Sequence, residues 1–291
     1  MALAFSTIGL MGKHANPEVQ SSLASLVSFL QAQNLEVLME EGCAKMMPQS
    51  VLPKAVSRDQ LGSRCDLVIV VGGDGSLLDA ARVVVDHNVP VVGVNRGRLG
   101  FLTDISPQAL TQSLEPILRG HFQEEYRFFL EMQLVRQGEV LHKGTALNDV
   151  VLYSGDIARM MDFQVIIDDQ FVYRQRSDGL ITATPTGSTA YALSGGGPIL
   201  HPSLEAVVLV PMHPHTLSSR PIVIDSHAKI ELHLMPDNLL NPRLSCDGQV
   251  HFDAKPDDRI LIQRKTKELR LLHPTDYDYY YTLRNKLGWS A

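Results

Sequence analysis

Cysteine is scarce in this chain and carries no pattern. Its three residues, Cys43, Cys65 and Cys246, lie far apart with no CxxC pair. That excludes a zinc ribbon and argues against a disulfide framework, so buried free thiols in a reducing cytosol are the expectation. A basic excess is missing too. The net charge of −6 argues against general nucleic-acid binding, which needs phosphate contacts, but not against one nucleotide held by a few local donors. No apolar run approaches the roughly 18 residues of a membrane span. The apolar start MALAFSTIGLMGKHANP has no basic leader region or cleavage site and reads as a first strand. The eleven histidines form no HxxxH or HExxH pattern, and His213 with His215 has no evident third ligand. Fixed-period repeats and low-complexity segments are absent. A cytoplasmic protein with neither nucleic-acid nor membrane partners is expected.

What is present is ordinary globular material, 44% hydrophobic and 20% charged over 291 residues, enough for one large domain or two ordinary ones. The first 120 or so residues alternate strand and helix signals. FSTIGLMG, LEVLME, CDLVIVV and VPVVGVN read as strands. PEVQSSLASLVSFLQAQ, with Val19, Leu23, Leu26 and Leu30 at helical spacing, reads as a helix, as do SLLDAARVVVD and SPQALTQSLEPILRG. Such alternation predicts a parallel sheet flanked by helices. From about residue 122 short runs of period two, separated by Gly, Asp and Pro, predict a β-rich half with one helix after TGSTAYALSG. The expected domains are 1–122 (α/β), 123–275 (β-rich) and a tail, 276–291, returning to the first. A ligand cleft between the two domains is expected. The tail aromatics Tyr277, Tyr279, Tyr280, Tyr281 and Trp289 are expected to pack on the fold or on a neighbouring subunit.

Two stretches carry chemistry. In VVGGDGSLLDA a buried strand stops at glycines before a helix. Gly72, Gly73 and Gly75 allow positive φ and close backbone approach, and Ser76 with Asp79 resembles a capping box. A strand–glycine–helix junction suits a phosphate, although a tight βα turn with an exposed polar residue is the plain alternative. The stretch is neither GxxxxGK[ST] nor GxGxxG, so it lacks a P-loop lysine and the Rossmann fingerprint. Asp74 within it could ligate Mg²⁺ on a polyphosphate or accept a proton from an attacking hydroxyl, and both fit phosphoryl transfer. In QRSDGLITATPTGSTAYALSGGGP, Arg176 and Asp178 share a face if extended. The hydroxyls of Thr184, Thr186, Ser188, Thr189 and Tyr191 precede Gly195, Gly196 and Gly197, a density able to hold a sugar and phosphates. Asn148–Asp149 is turn chemistry or a pair of acceptors for ribose hydroxyls. Asp247 and Gln249 in LSCDGQ read as a hairpin turn.

Taken together, GGDGSLLDAAR, GVNRGRLGFLTD, the Asn–acidic pair before VVL, QRSDGLITATPTGSTAYALSGGGPI, VPMHPHTLSSRP and LSCDGQ resemble the bacterial NAD kinase family, ATP-dependent enzymes that phosphorylate NAD to NADP. GGDG alone is shared with diacylglycerol, sphingosine and phosphofructokinase-type enzymes; its combination with TPTGSTAY and GRLGFLTD is specific. The resemblance implies the NAD kinase/diacylglycerol kinase-like fold: an N-terminal α/β domain and a β-rich C-terminal domain. It also implies a homo-oligomer, tetramer or dimer, with NAD between domains near a subunit contact, and ATP with a divalent cation, Mg²⁺. By the same resemblance Asp74 matches the catalytic aspartate, and Gly75 touches the same ligand. Asn148 and Asp149 match the ribose-binding pair. Asp178 matches the aspartate near the nicotinamide end, and Thr186, Thr189, Ala190, Tyr191 and Ser194 match the adenosine loop. Arg159, Arg176 and Gln249 are further NAD contacts, and Gly72, Gly73, Gly75, Ser76, Gly195 and Gly196 take the ATP phosphates. Two departures stand out. The family's usual Asn–Glu is Asn148–Asp149 here, one methylene shorter, so the ribose contact shifts or is bridged by water. Ser76 stands where other members carry Asn or Thr, each of which can cap a helix. A lipid or sugar kinase sharing the GGDG loop, or a dinucleotide-binding sensor without activity, are the alternative readings.

Overall fold

The computed structural model describes residues 3–13, 16–48, 52–97, 99–155, 160–238 and 242–289. The chain forms two compact units, Met1–Tyr126 with Lys267–Ala291, and Arg127–Thr266. The chain passes from one unit to the other within the long strands Gln123–Arg136 and Arg259–His273.

In the first unit the strands Leu67–Gly72 and Val91–Asn95 are buried at every position. Continuous β-branched runs of this kind belong in a parallel sheet covered on both faces. The sheet order is Lys54–Val56, Glu36–Glu40, Thr7–Gly12, Leu67–Gly72, Val91–Asn95, all parallel, with Leu271 near the end of the last long strand beside Val91. Later strands are added on opposite sides of Thr7–Gly12. The strand order therefore switches between Thr7–Gly12 and Leu67–Gly72, and open α/β sheets bind ligands outside the carboxyl ends of strands at such a point. Gly72 and the turn after it stand there. The helix Pro17–Ala32 is capped by the Asn16 side chain, which accepts from the N–H groups of Glu18 and Val19. Its expected apolar face (Val19, Leu23, Leu26, Leu30) is buried against Ile8, Leu10, Ile69 and Val71.

Three elements of this unit escaped the sequence pattern: the helices Glu41–Ala44 and Arg58–Arg64 and the strand Lys54–Val56. They are short, and only Arg58–Arg64 carries a readable signal, its capping box of Ser57 and Gln60.

The second unit is antiparallel. A six-stranded sheet runs Ile222–Asp225, Ala206–Met212, Gly179–Ala183, Asp149–Tyr153, Arg243–Cys246, Val250–Asp253. Alternate residues of it (Val150, Leu152, Leu180, Leu209, Leu244) share one core with Met161, Phe163, Val165, Ile230 and Ile260 of other strands. The opposite face, with Val151, Ile181, Val208 and Val210, is covered by Ala192 and Leu200. The segment 187–200 is thereby fixed on the sheet, with Ser188 Oγ accepting from the Leu200 N–H at 2.9 Å.

Gly93 shows how tightly the 102–103 backbone packs on the sheet of the first unit. A Cβ there would strike the Leu102 carbonyl oxygen and lie 2.8 Å from Thr103 Cα. Gly93→Ala is therefore expected to cost about 1–3 kcal/mol, the usual price of overpacking, measured by urea denaturation.

Candidate functional site

In the first unit the strand Leu67–Gly72 ends, Gly73 caps the next helix without a side-chain hydrogen bond, and Asp74 is its first residue, in Asp74–Val84. Two expectations are corrected. The helix begins before Ser76, so Ser76 and Asp79 form no capping box; Asp79 instead pairs with Arg58 Nη1 at 2.8 Å. Nor do Gly72, Gly73 or Gly75 adopt positive φ. Glycine is required at 72 because a Cβ would lie 2.5 Å from Ser76 Oγ. Gly72, Gly73, Gly75 and Ser76 thus make a sharp strand-to-helix turn at the positive end of a helix, the geometry that suits a phosphate.

Asp74 does more than decorate that turn. Its Oδ2 accepts the Phe101 N–H at 2.9 Å; its Oδ1 accepts the Leu102 N–H at 3.0 Å and the Thr103 hydroxyl at 3.4 Å. Gly100 packs so close that a Cβ would meet Asp74 Oδ1. The stretch 100–103 is therefore a loop gripped by the carboxylate. Among the described residues Oδ1 is saturated by two donors, whereas Oδ2 has one and keeps a lone pair for another partner.

In the second unit a cavity of about 380 Å³ is lined by Asn148, Asp149, Tyr153, Tyr191, Asp247 and His251 among others. Asn148 stands between the strands Glu139–Ala146 and Asp149–Tyr153. Its carbonyl accepts the Thr184 N–H at 2.9 Å, and Gly187 packs against its backbone with no room for a Cβ. Thr186 is buried and accepts from Arg127 Nη1 at 3.3 Å. Thr189 lies in the turn that follows, and Ala190 and Tyr191 line the cavity. Ser194, Gly195 and Gly196 are exposed at the end of the short helix Tyr191–Ser194. Asp178 accepts or shares a proton with His213 Nδ1 at 3.0 Å. Arg176 is exposed on the same strand end, its carbonyl accepting the His215 N–H. Gln249 is exposed in the hairpin after Asp247. Arg159 lies outside the described residues.

Asp247 was readable only as a turn. It and Gly248 both have positive φ, 54° and 63°, in the three-residue hairpin loop between the paired Cys246 and Val250. Its carboxylate also accepts the N–H groups of Leu147, Asn148 and Asp149 at 3.1, 2.7 and 3.3 Å, and its own N–H donates to the Asp149 carbonyl. A residue about 100 positions away thus sets the backbone of the Asn148–Asp149 pair. Tyr153 and His251 in the cavity wall had no signal in the sequence.

Sequence models of the ATP-NAD kinase N-terminal domain and of the ATP-NAD kinase C-terminal domain match residues 8–122 and 147–273. The NAD kinase of Teredinibacter turnerae is 52% identical over 288 residues, covering 99% of this chain and 98% of that protein. That of Chromohalobacter salexigens is 53% identical over 287 residues, covering 99% and 98%. Among solved structures, yeast NADH kinase complexed with NADH aligns at a TM-score of 0.91 with 23% identity, over 98% of this chain and 88% of that one. An NAD kinase from Archaeoglobus fulgidus in complex with ATP aligns at 0.70 with 24% identity, over 97% of each. These structures share the fold: a parallel-sheet α/β unit and a β-rich one. The chain belongs to the ATP-NAD kinase family. Among the described residues no helix is long and apolar enough to cross a membrane.

Burial, and then the negative charge of Asp247, push the Asp149 carboxyl from 3.8 up to about 7. Between about pH 4 and 7 the folded protein thus holds a proton that the unfolded chain has released, so stability falls as pH rises through that window. Asp149→Asn is expected to abolish this contribution. The wild-type protein should lose stability relative to the Asn variant from pH 4.5 to 7.5 in paired urea titrations, and a constant difference would contradict the shift.

Proposed function

We propose that this protein transfers the γ-phosphoryl group of ATP to the 2′-hydroxyl of the adenosine ribose of NAD, giving NADP and ADP. The observation that carries the reading is the match to both domains of the ATP-NAD kinase family, joined to a largely apolar cavity into whose wall Asn148 and Asp149 bring polar groups. Residues 1–122 would carry the GGDG phosphate loop and 123–275 would bind the dinucleotide.

In this reading Asn148 and Asp149 take the ribose hydroxyls, Thr186, Thr189, Ala190, Tyr191 and Ser194 the adenosine, and Asp178 the nicotinamide end. Arg159, Arg176 and Gln249 add further dinucleotide contacts. Gly72, Gly73, Gly75 and Ser76, with Gly195 and Gly196, receive the ATP phosphates. Asp149 is the family's Glu shortened by one methylene. With its carboxyl near 7 it can donate as well as accept a ribose hydrogen bond at neutral pH.

Asp74 uses the lone pair left on Oδ2 to accept the 2′-hydroxyl proton as that oxygen bonds to the γ-phosphorus. The bond from the γ-phosphorus to the bridging oxygen breaks, and ADP leaves with that electron pair. Among the described residues no three acidic, His or Cys side chains form a metal cage. The cation, Mg²⁺ in this proposal, would arrive on ATP; Oδ2 of Asp74 would ligate it in place of its role as base, not beside it. Such an ion neutralises phosphate charge, while the protein positions the reactants.

A cytoplasmic homo-oligomer, dimer or tetramer, completes the reading. It is supported by the exposed apolar side chains Phe171 and Val172 of the second unit.

Asp74→Asn is expected to lower kcat by about 10²–10⁴, with KM for NAD little changed, in an assay coupled to a strictly NADP-specific dehydrogenase. Near-normal turnover would remove Asp74 from the role of base. Thermal stabilisation by NAD without any ATP-dependent NADP formation in the wild-type protein would favour a sensor instead.

A further inference from the structure

The loop that grips Asp74 is itself tied down, and the ties come from the last part of the chain. His273 ends the strand Arg259–His273 and is completely buried. Its Nδ1 lies 2.9 Å from Asp104 Oδ2, and its Nε2 lies 3.4 Å from Glu125 Oε2. The Tyr277 ring stacks on the imidazole, with centroids 3.8 Å apart and planes 10° from parallel. Asp104 has no other side-chain tie among the described residues, its Oδ1 being buried without a hydrogen-bond partner. It directly follows Thr103, whose hydroxyl, with the Phe101 and Leu102 amides, holds the Asp74 carboxylate.

The rest of the loop is fixed to the sheet. Asn95 Nδ2 donates to both the carbonyl and the hydroxyl of Thr103 at 3.2 Å, and the Asn95 N–H donates to the Ile105 carbonyl at 2.8 Å. At its other end, Lys286 Nζ, from the C-terminal helix Tyr279–Leu287, lies 5.4 Å from the centre of the Phe101 ring. The loop is thus held from the sheet side by Asn95 and from the C-terminal segment by His273 and Lys286.

We propose that His273 is a positioning residue for the phosphoryl transfer: through Asp104 it holds the 100–103 loop, and through the amides of that loop it sets the Asp74 carboxylate. This rests on the reading of Asp74 as the group that meets the 2′-hydroxyl. The buried pair is suited to such a task. Burial pushes the His273 imidazole down, but its contacts with Asp104 and Glu125 outweigh that, and the net direction is up from 6.5. The imidazolium is therefore favoured, which strengthens its bond to the loop carboxylate. Asp104, Glu125 and Tyr277 are the titratable side chains against the ring. A base displaced by about 1 Å is enough to cost roughly 10²-fold in rate, so a loop of this kind can matter without touching substrate.

The test cuts the link from either end. His273→Phe keeps an aromatic ring to stack on Tyr277 but removes both nitrogens; Asp104→Ala removes the loop's side of the pair, and serves if the larger Phe ring makes the first variant fold poorly. Each is expected to raise hydrogen exchange at the Phe101 and Leu102 amides by about tenfold or more, while those of Ile69 and Val70 in the sheet stay protected. Each should also lower kcat by at least about tenfold with KM for NAD within about threefold. In an Asp74→Asn background His273→Phe should cost no further turnover, because both changes act on one group. Unchanged exchange at Phe101 and Leu102, unchanged kcat, or full additivity with Asp74→Asn would each overturn the proposal. Failure of the base reading shows separately, as normal turnover in Asp74→Asn alone.

Discussion

Everything that the first unit offers a ligand depends on one carboxylate gripping one loop. Asp74 is the first residue of its helix, where the helix dipole favours negative charge. It spends three of its acceptor positions on the Phe101 and Leu102 amides and the Thr103 hydroxyl. An isolated carboxylate at a phosphate-binding turn would repel its ligand and wander. Held by neutral donors, the same carboxylate is fixed in direction and keeps one lone pair on Oδ2. The presence of an acid at the start of a helix that follows a glycine turn is therefore resolved structurally before any chemistry is invoked: the acid organises the loop.

The second unit solves its own problem in a parallel way. There too a carboxylate, Asp247, accepts successive backbone N–H groups, those of residues 147–149, and so shapes a turn that carries polar side chains into a cavity. The consequence differs because Asp149 is buried next to that charge and is pushed toward neutrality. One carboxylate in each unit gives up its own freedom to order a stretch of backbone. Neither loop would have a defined shape from its local sequence alone.

That division marks what the sequence could disclose. Strands such as Leu67–Gly72 and Val91–Asn95 and the helix Pro17–Ala32 were legible because burial imposes periodicity, and periodicity is local. The fold class and the family followed from ordered motifs. The misreadings were also local. Ser76 and Asp79 have the spacing of a capping box, but Gly73 already starts the helix, and Arg58, 21 residues back, claims Asp79. The glycines of the GGDG turn suggested positive φ, whereas Gly72 is small because Ser76 folds over it. What could not be read at all were long-range ties: Asp247 with 147–149, and His273 with Asp104, separated by 98–100 and 169 positions. A lone histidine before a proline carries no mark of the carboxylate that it will meet.

The placement of the last long strand has a consequence for how the molecule comes into being. Val91–Asn95 is apolar and wholly buried, and on one side its neighbour is the end of Arg259–His273, reached through Leu271. During synthesis the first five parallel strands leave the ribosome more than 150 residues before that partner does. For that interval the start of this strand, at Val91, lacks its partner, while its other end is already bridged by Ile105. The strand that finally closes the edge also delivers His273 to the loop around Asp74. The last stretch of that edge and the His273 side chain therefore arrive together, on one strand, after the rest of the 101–105 loop and its contacts with Asp74 and Asn95 have been synthesised.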